Sequence, residues 1–115
     1  MTARESSENK IQSQIFLWHW NSFPSERGLL FEVSNNPVNA IDGAKRKAIG
    51  MVAGVSDLIY LHPSGGIGLE IKTPSGRQGK KQAWWQSVVE ANGYRYFILR
   101  SLDDFKELHK SLSVK

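Results

Sequence analysis

Asp57-Leu58-Ile59-Tyr60-Leu61, then Ser64-Gly65-Gly66, then Ile67-Gly68-Leu69-Glu70-Ile71-Lys72, is the stretch whose reading decides the fold. Two apolar runs joined by turn formers predict a β-hairpin, so the two strands are antiparallel neighbours. The second run alternates, with Ile67, Leu69 and Ile71 on one face and Gly68, Glu70 and Lys72 on the other. Thr73-Pro74-Ser75-Gly76 then reads as a turn.

Outward from the hairpin, residues 78–91 carry Trp85, Val88 and Val89 at helical spacing and stop at Asn92-Gly93, with a strand expected over 94–99. A last helix over 102–112 uses Phe105, Leu108 and Leu112 as its apolar stripe. Towards the N-terminus, 42–52 predicts a helix packed through Ala44, Ala48, Ile49 and Val52 and ended by Gly54. Leu29 to Val33 reads as a short strand before the turn formers Ser34-Asn35-Asn36-Pro37. Ser7 to Trp20 reads as an amphipathic helix with Ser6 or Ser7 as N-cap. This order implies an α/β fold, a mixed sheet with helices on both faces.

The 115 residues fit one domain spanning 1–115. The chain has no Cys, which excludes disulfides and thiolate zinc sites and fits a reducing compartment; cytoplasm is the expectation. MTARESSENK lacks the apolar segment of a secretory signal, and no apolar run approaches the roughly 20 residues needed to cross a bilayer. A soluble protein without a membrane partner is therefore expected. The net charge of +4 favours a polyanion such as DNA, though many basic domains bind none.

Glu70 and Lys72 are two apart on one strand and share a face, and the neighbouring strand can bring Asp57 beside them. Paired carboxylates form a hard oxygen site suited to Mg²⁺ or Mn²⁺, and a nearby lysine can stabilise charge growing on a phosphate. Equally, Glu-x-Lys is common on exposed strands, where such a pair contributes at most about 1 kcal/mol. Against that reading, Asp57 opens a strand too apolar for an exposed edge. Glu8 shares a helical face with Ile11, Gln12 and Ile15, which makes it either a third metal ligand or an acid favouring the helix dipole. Gln78, Gln82 and Gln86 recur at one-turn intervals, so a row of amides can face the hairpin.

Together, Gly54-Val55-Ser56-Asp57-Leu58, Gly68-Leu69-Glu70-Ile71-Lys72-Thr73-Pro74-Ser75-Gly76-Arg77, Gln82 and Gly93-Tyr94 resemble the VRR-NUC (virus-type replication-repair nuclease) family of the PD-(D/E)xK nuclease superfamily. The likeness runs from Glu8 with Gln12, through Asn35-Asn36 and Lys45-Arg46, to the strand at Tyr94. It implies a restriction-endonuclease-like core, a central mixed sheet of about four strands flanked by helices. By the same resemblance Asp57, Glu70 and the Ile71 carbonyl hold Mg²⁺ or Mn²⁺, Lys72 is the catalytic lysine, Gln82 helps to hold the site, and Glu8 is a metal or water partner. Ser56 departs from the family's usual Pro; that residue shapes the backbone and supplies no ligand, so activity is expected to survive.

Isolated viral or bacterial domains of this type look like homodimers that cut branched DNA such as four-way junctions, while larger relatives are flap nucleases. The expected function is accordingly a structure-selective DNA endonuclease in replication or repair. The alternatives are an inactive nuclease-like DNA-binding module, a flap or single-strand nuclease, and a basic scaffold without metal. Lys45, Arg46, Arg77 and Lys81 are expected to contact DNA phosphates; Lys47 reads as a solvated position. His19, His62 and His109 show no ligand spacing and read as structural or exposed.

Overall fold

The computed structural model describes residues 2–34 and 36–113; Asn35 lies outside them. In chain order the elements are α1 (Ala3–Ser22), the 3₁₀ turn η1 (Pro24–Glu26), β1 (Leu30–Glu32), α2 (Ala40–Ala48), β2 (Leu58–His62), β3 (Gly65–Ile71), α3 (Lys80–Ala91), β4 (Arg95–Leu99) and α4 (Leu102–Ser113). The four strands form one mixed sheet in the order β1-β2-β3-β4. The first three are antiparallel, whereas β4 runs parallel to β3, an arrangement that needs a crossover, supplied here by α3.

Alternation sorts the side chains between two faces. Leu58 and Tyr60 pair with Leu69 and Ile67, and with Leu30 and Ile71 they bury their side chains against Ile15 of α1 and Phe105 and Leu108 of α4. Trp18 closes this layer edge-on to Phe105. The other face carries Gly66, Gly68 and Glu70, and α3 covers it. A Cβ on Gly68 would lie 2.9 Å from the Trp85 ring, so the missing side chain lets the indole sit on the strand.

Several helix boundaries differ from the sequence reading, most clearly those of α1 and α2. α1 begins before Ser6 and Ser7 because the Thr2 hydroxyl, in extended backbone, accepts from Glu5 N at 3.1 Å and caps the helix. α2 is the shorter helix. The Asn39 side chain caps it by accepting from Asp42 N, and the chain leaves it through Gly50 at φ 115°, not at Gly54. Its buried position is Gly43, facing the Pro37 ring, while Ile49 remains 86% exposed and Val52 and Ala48 are also exposed. A nine-residue helix resting on proline needs no broad apolar stripe.

The histidines are also arranged differently from their sequence spacing. His19 in the last turns of α1 and His109 on α4 are both buried, and both approach the Glu26 carboxylate of η1. The helical pairing of α1 with α4 joins residues ninety positions apart, a proximity that local spacing does not encode.

Gly54 fixes how the loop before β2 meets α3. It has φ 92°, and a Cβ there would lie 2.3 Å from the Lys81 carbonyl oxygen. Both the left-handed backbone and the clash with a helix carbonyl disfavour any side chain. Gly54→Ala is expected to destabilise the fold by about 2 kcal/mol or more; urea unfolding would show a lowered midpoint at unchanged slope, and an unchanged midpoint would contradict this packing.

Candidate active site

The β2–β3 register pairs Leu58 with Leu69, and one further step places Asp57 opposite Glu70. Asp57 is tied into the sheet on both sides. Its carbonyl accepts from Val33 N at 3.0 Å, and its side-chain Oδ2 accepts from Ile71 N at 2.7 Å. These bonds aim the carboxylate along the α3 face, where Glu70 also points.

Glu70 is 1% exposed, and several groups contact its two oxygens. Gln82 Nε2 donates to Oε2 at 2.8 Å, Lys72 Nζ stands 3.8 Å from the same oxygen, and the Tyr96 hydroxyl donates to Oε1 at 3.3 Å. The Gln82 amide cannot swing away, because its own oxygen accepts from Gly79 N at 2.7 Å in the first turn of α3. Gln78, which lies before α3, bonds to both Gln86 and the Tyr96 hydroxyl, so of the three glutamines Gln78 and Gln82 reach sheet residues and Gln86 does so only through Gln78.

Burial, the opposing Asp57 charge and a hydrogen bond with that carboxylate push the Glu70 carboxyl up to about 8, against the pull of Lys72 and Tyr96. Burial is also the main cause that raises the Tyr96 phenol, with the Glu70 and Asp57 charges adding to it. Two carboxylates facing each other in a buried site require a proton or a cation between them. The donors are all oxygens, which suits Mg²⁺ or Mn²⁺ better than softer ions.

An open cleft of about 490 Å³ meets this pair at Asp57 and is lined also by Asn9 and Gln12 of α1, Glu32 of β1, and Lys81 and Gln82 of α3. Glu8, one residue before Asn9, has a buried Oε2 without a hydrogen-bond partner among the described residues. An acceptor in that state is a natural place for a cation or an ordered water. The facing oxygens of Asp57 and Glu70 therefore fit a divalent ion, while Glu8 forms no tight three-ligand group with them among the described residues.

The basic residues divide. Lys81 lines the cleft, and so does its neighbour Lys80. Arg46 pairs with Asp42 at 2.8 Å and lines a neighbouring hollow that shares Val33 and Val55 with the cleft. Lys45 and Arg77 are exposed and do not line the cleft.

Several participants escaped sequence reasoning. Glu32 ends β1 at the cleft, and its only sequence signal was an acid closing an apolar run before the turn formers. Tyr96 lay within a strand whose apolar neighbours disguised its hydroxyl. Arg100 donates from Nη1 to the carbonyls of Thr73 and Gly76, both at 2.7 Å, holding the turn that follows Lys72. Ser56 is buried, and its hydroxyl donates to the Leu58 carbonyl at 2.9 Å, a bond that shapes the backbone where a proline ring would do so.

No protein-family model and no curated protein sequence matches the chain. Among solved structures, a VRR_NUC domain protein superposes with a TM-score of 0.68 at 18% identity, over 92% of this chain and 89% of that one. The chain thus has the fold of that protein, and the restriction-endonuclease-like core expected from the sequence is the one observed. Among the described residues no helix is long and apolar enough to cross a membrane.

The raised Glu70 sets a pH dependence in the metal-free protein. Between 4.5, its ordinary value, and about 8, the folded chain holds a proton that the unfolded chain has released. Stability then falls as pH rises through this window. Glu70→Gln, which keeps the shape without the charge, is expected to flatten that slope; denaturation in chelator at a series of pH values would reveal it, and parallel curves for the two proteins would disprove the assignment.

Proposed function

We propose that the chain, acting as one domain over 1–115, is a Mg²⁺- or Mn²⁺-dependent nuclease that hydrolyses DNA phosphodiester bonds. The observation that carries this reading is the meeting of Asp57, Glu70 and Lys72 on one sheet face beside a cleft edged by lysines. The fold of a VRR_NUC domain protein supports it, as does the signature Glu70-Ile71-Lys72-Thr73-Pro74.

Asp57, Glu70, the Ile71 carbonyl and Glu8 would hold the metal. When bound, the cation supplies polarisation of a phosphate oxygen and a lowered pKa for a coordinated water. Lys72 places an ammonium where negative charge develops on the phosphorus oxygens. Gln82 keeps Glu70 oriented through its bridge from the α3 terminus. Lys81, with Lys80, grips backbone phosphate at the cleft, while Lys45, Arg46 and Arg77 extend the contact outside it; none of these reads bases, so binding is steep in salt and indifferent to sequence.

The structure-selective reading, a homodimer resolving four-way junctions in the cytoplasm during replication or repair, belongs to this proposal. It rests on the family resemblance alone. A flap or single-strand nuclease is the neighbouring reading, and an inactive DNA-binding module is the main rival.

Labelled single strands, flaps, linear duplex and four-way junctions incubated with Mg²⁺ or Mn²⁺ test the proposal. Cleavage is expected to vanish with chelator and with Asp57→Asn, and to slow by about two or more orders of magnitude in Lys72→Ala. A folded Lys72→Ala protein at parental rate would remove the lysine's role. Salt-sensitive binding without cleavage of any substrate would favour the inactive module.

A further inference from the structure

On the α1–α4 side of the sheet, away from Asp57 and Glu70, a second group of metal-ligating side chains converges. Nε2 of His19 stands 2.9 Å from Oε1 of Glu26, and Nε2 of His109 stands 3.7 Å from that same oxygen. All three donor atoms lie within 4.8 Å of one another. A tetrahedral zinc ion with bonds of about 2.0–2.2 Å has ligands roughly 3.3–3.5 Å apart. The two separations from the Glu26 oxygen, 2.9 and 3.7 Å, bracket that spacing, and the imidazoles lie close enough to each other for side-chain adjustment to bring all three donors onto one ion.

We propose that His19, Glu26 and His109 form a zinc site with three protein ligands, a water completing the tetrahedron. Two imidazoles with one carboxylate form a nitrogen-rich set, which selects zinc over the hard ions suited to the Asp57–Glu70 pair. The rings are held for the task. His109 stacks on Phe23 with centroids 4.1 Å apart, and His19 meets Tyr60 edge-on. The Tyr60 hydroxyl donates to Glu26 Oε1, fixing the carboxylate from the sheet side as the outer partners of metal ligands do. Glu26 keeps 22% of its side chain exposed, which gives an ion a way in. His62 is not a member; its Nδ1 is engaged by Ser64.

The site would tie three segments distant in sequence: the last turns of α1, η1 and the second half of α4.

Cobalt(II) serves as the optical probe and zinc as the competitor, on the full chain carrying Asp57→Asn to weaken the other site. One equivalent of cobalt is expected to give the intense visible bands of tetrahedral coordination, and one equivalent of zinc to erase them. The bands should survive in His62→Gln, which leaves His19 and His109 as the only imidazoles in a chain of three histidines and no cysteine. In Glu26→Gln and His109→Gln, checked for folding by circular dichroism, zinc affinity should fall by about a hundredfold or more. Absence of tetrahedral bands, their loss in His62→Gln, or unchanged zinc affinity in a folded Glu26→Gln chain would overturn the site. If neither ligand variant folds, the His62→Gln spectrum decides the matter by itself.

Discussion

The pairing register between β2 and β3 is the constraint on which the site depends. With Leu58 opposite Leu69, the next residues outward are Asp57 and Glu70, and the two acids must face each other on the side covered by α3. A slip of one residue would turn every side chain of β3 over and put Glu70 among Ile15, Phe105 and Leu108. The register is protected by what lies on the core face, where Tyr60, Ile67, Leu58 and Leu69 are almost wholly buried. Packing on one face thus enforces electrostatic crowding on the other.

That crowding is unfavourable for the protein alone and useful with a ligand. A carboxyl pressed by burial and by a facing carboxylate retains its proton near neutrality, and binding of a cation offers the same relief with a stronger charge. Lys72 is too far, at 3.8 Å, to neutralise Glu70 as a tight ion pair would, which leaves its ammonium available to a third party. Gln82 orients Glu70 without neutralising it. The site is organised to remain acidic.

The hairpin, the four strands and the shared face of Glu70 and Lys72 were legible because each depends on alternation over a few residues. Gln82 was legible as one of a row of amides, and the family resemblance gave it a role. Less visible were features made by distant segments. His19, Glu26 and His109 meet only through the packing of α4 on α1, and the acid at Glu32 matters only because α1 leaves a cleft beside it. The packed face of α2 differs from the expected one: Gly43 is buried beside Pro37, while Ala44, Ala48, Ile49 and Val52 are exposed. The cap of α1 was expected at Ser6 or Ser7 but lies at Thr2, because the choice among hydroxyls of equal chemistry falls to which one meets a free N–H, here that of Glu5.

Arg100 illustrates how a remote residue can govern presentation. Its guanidinium gathers carbonyl groups of the turn spanning Thr73 to Gly76, and its own backbone N–H is bound by Asp104. A planar fork suits several divergent acceptors better than a flexible ammonium, so lysine would be a poor replacement. The turn that leads out of β3 is consequently a braced bracket anchored to the start of α4, and the exposed Arg77 directly follows it. Under the proposed nuclease reading, less chain entropy would be lost when a phosphate docks there, so a residue lying outside the cleft would help to set how firmly the nucleic acid is seated.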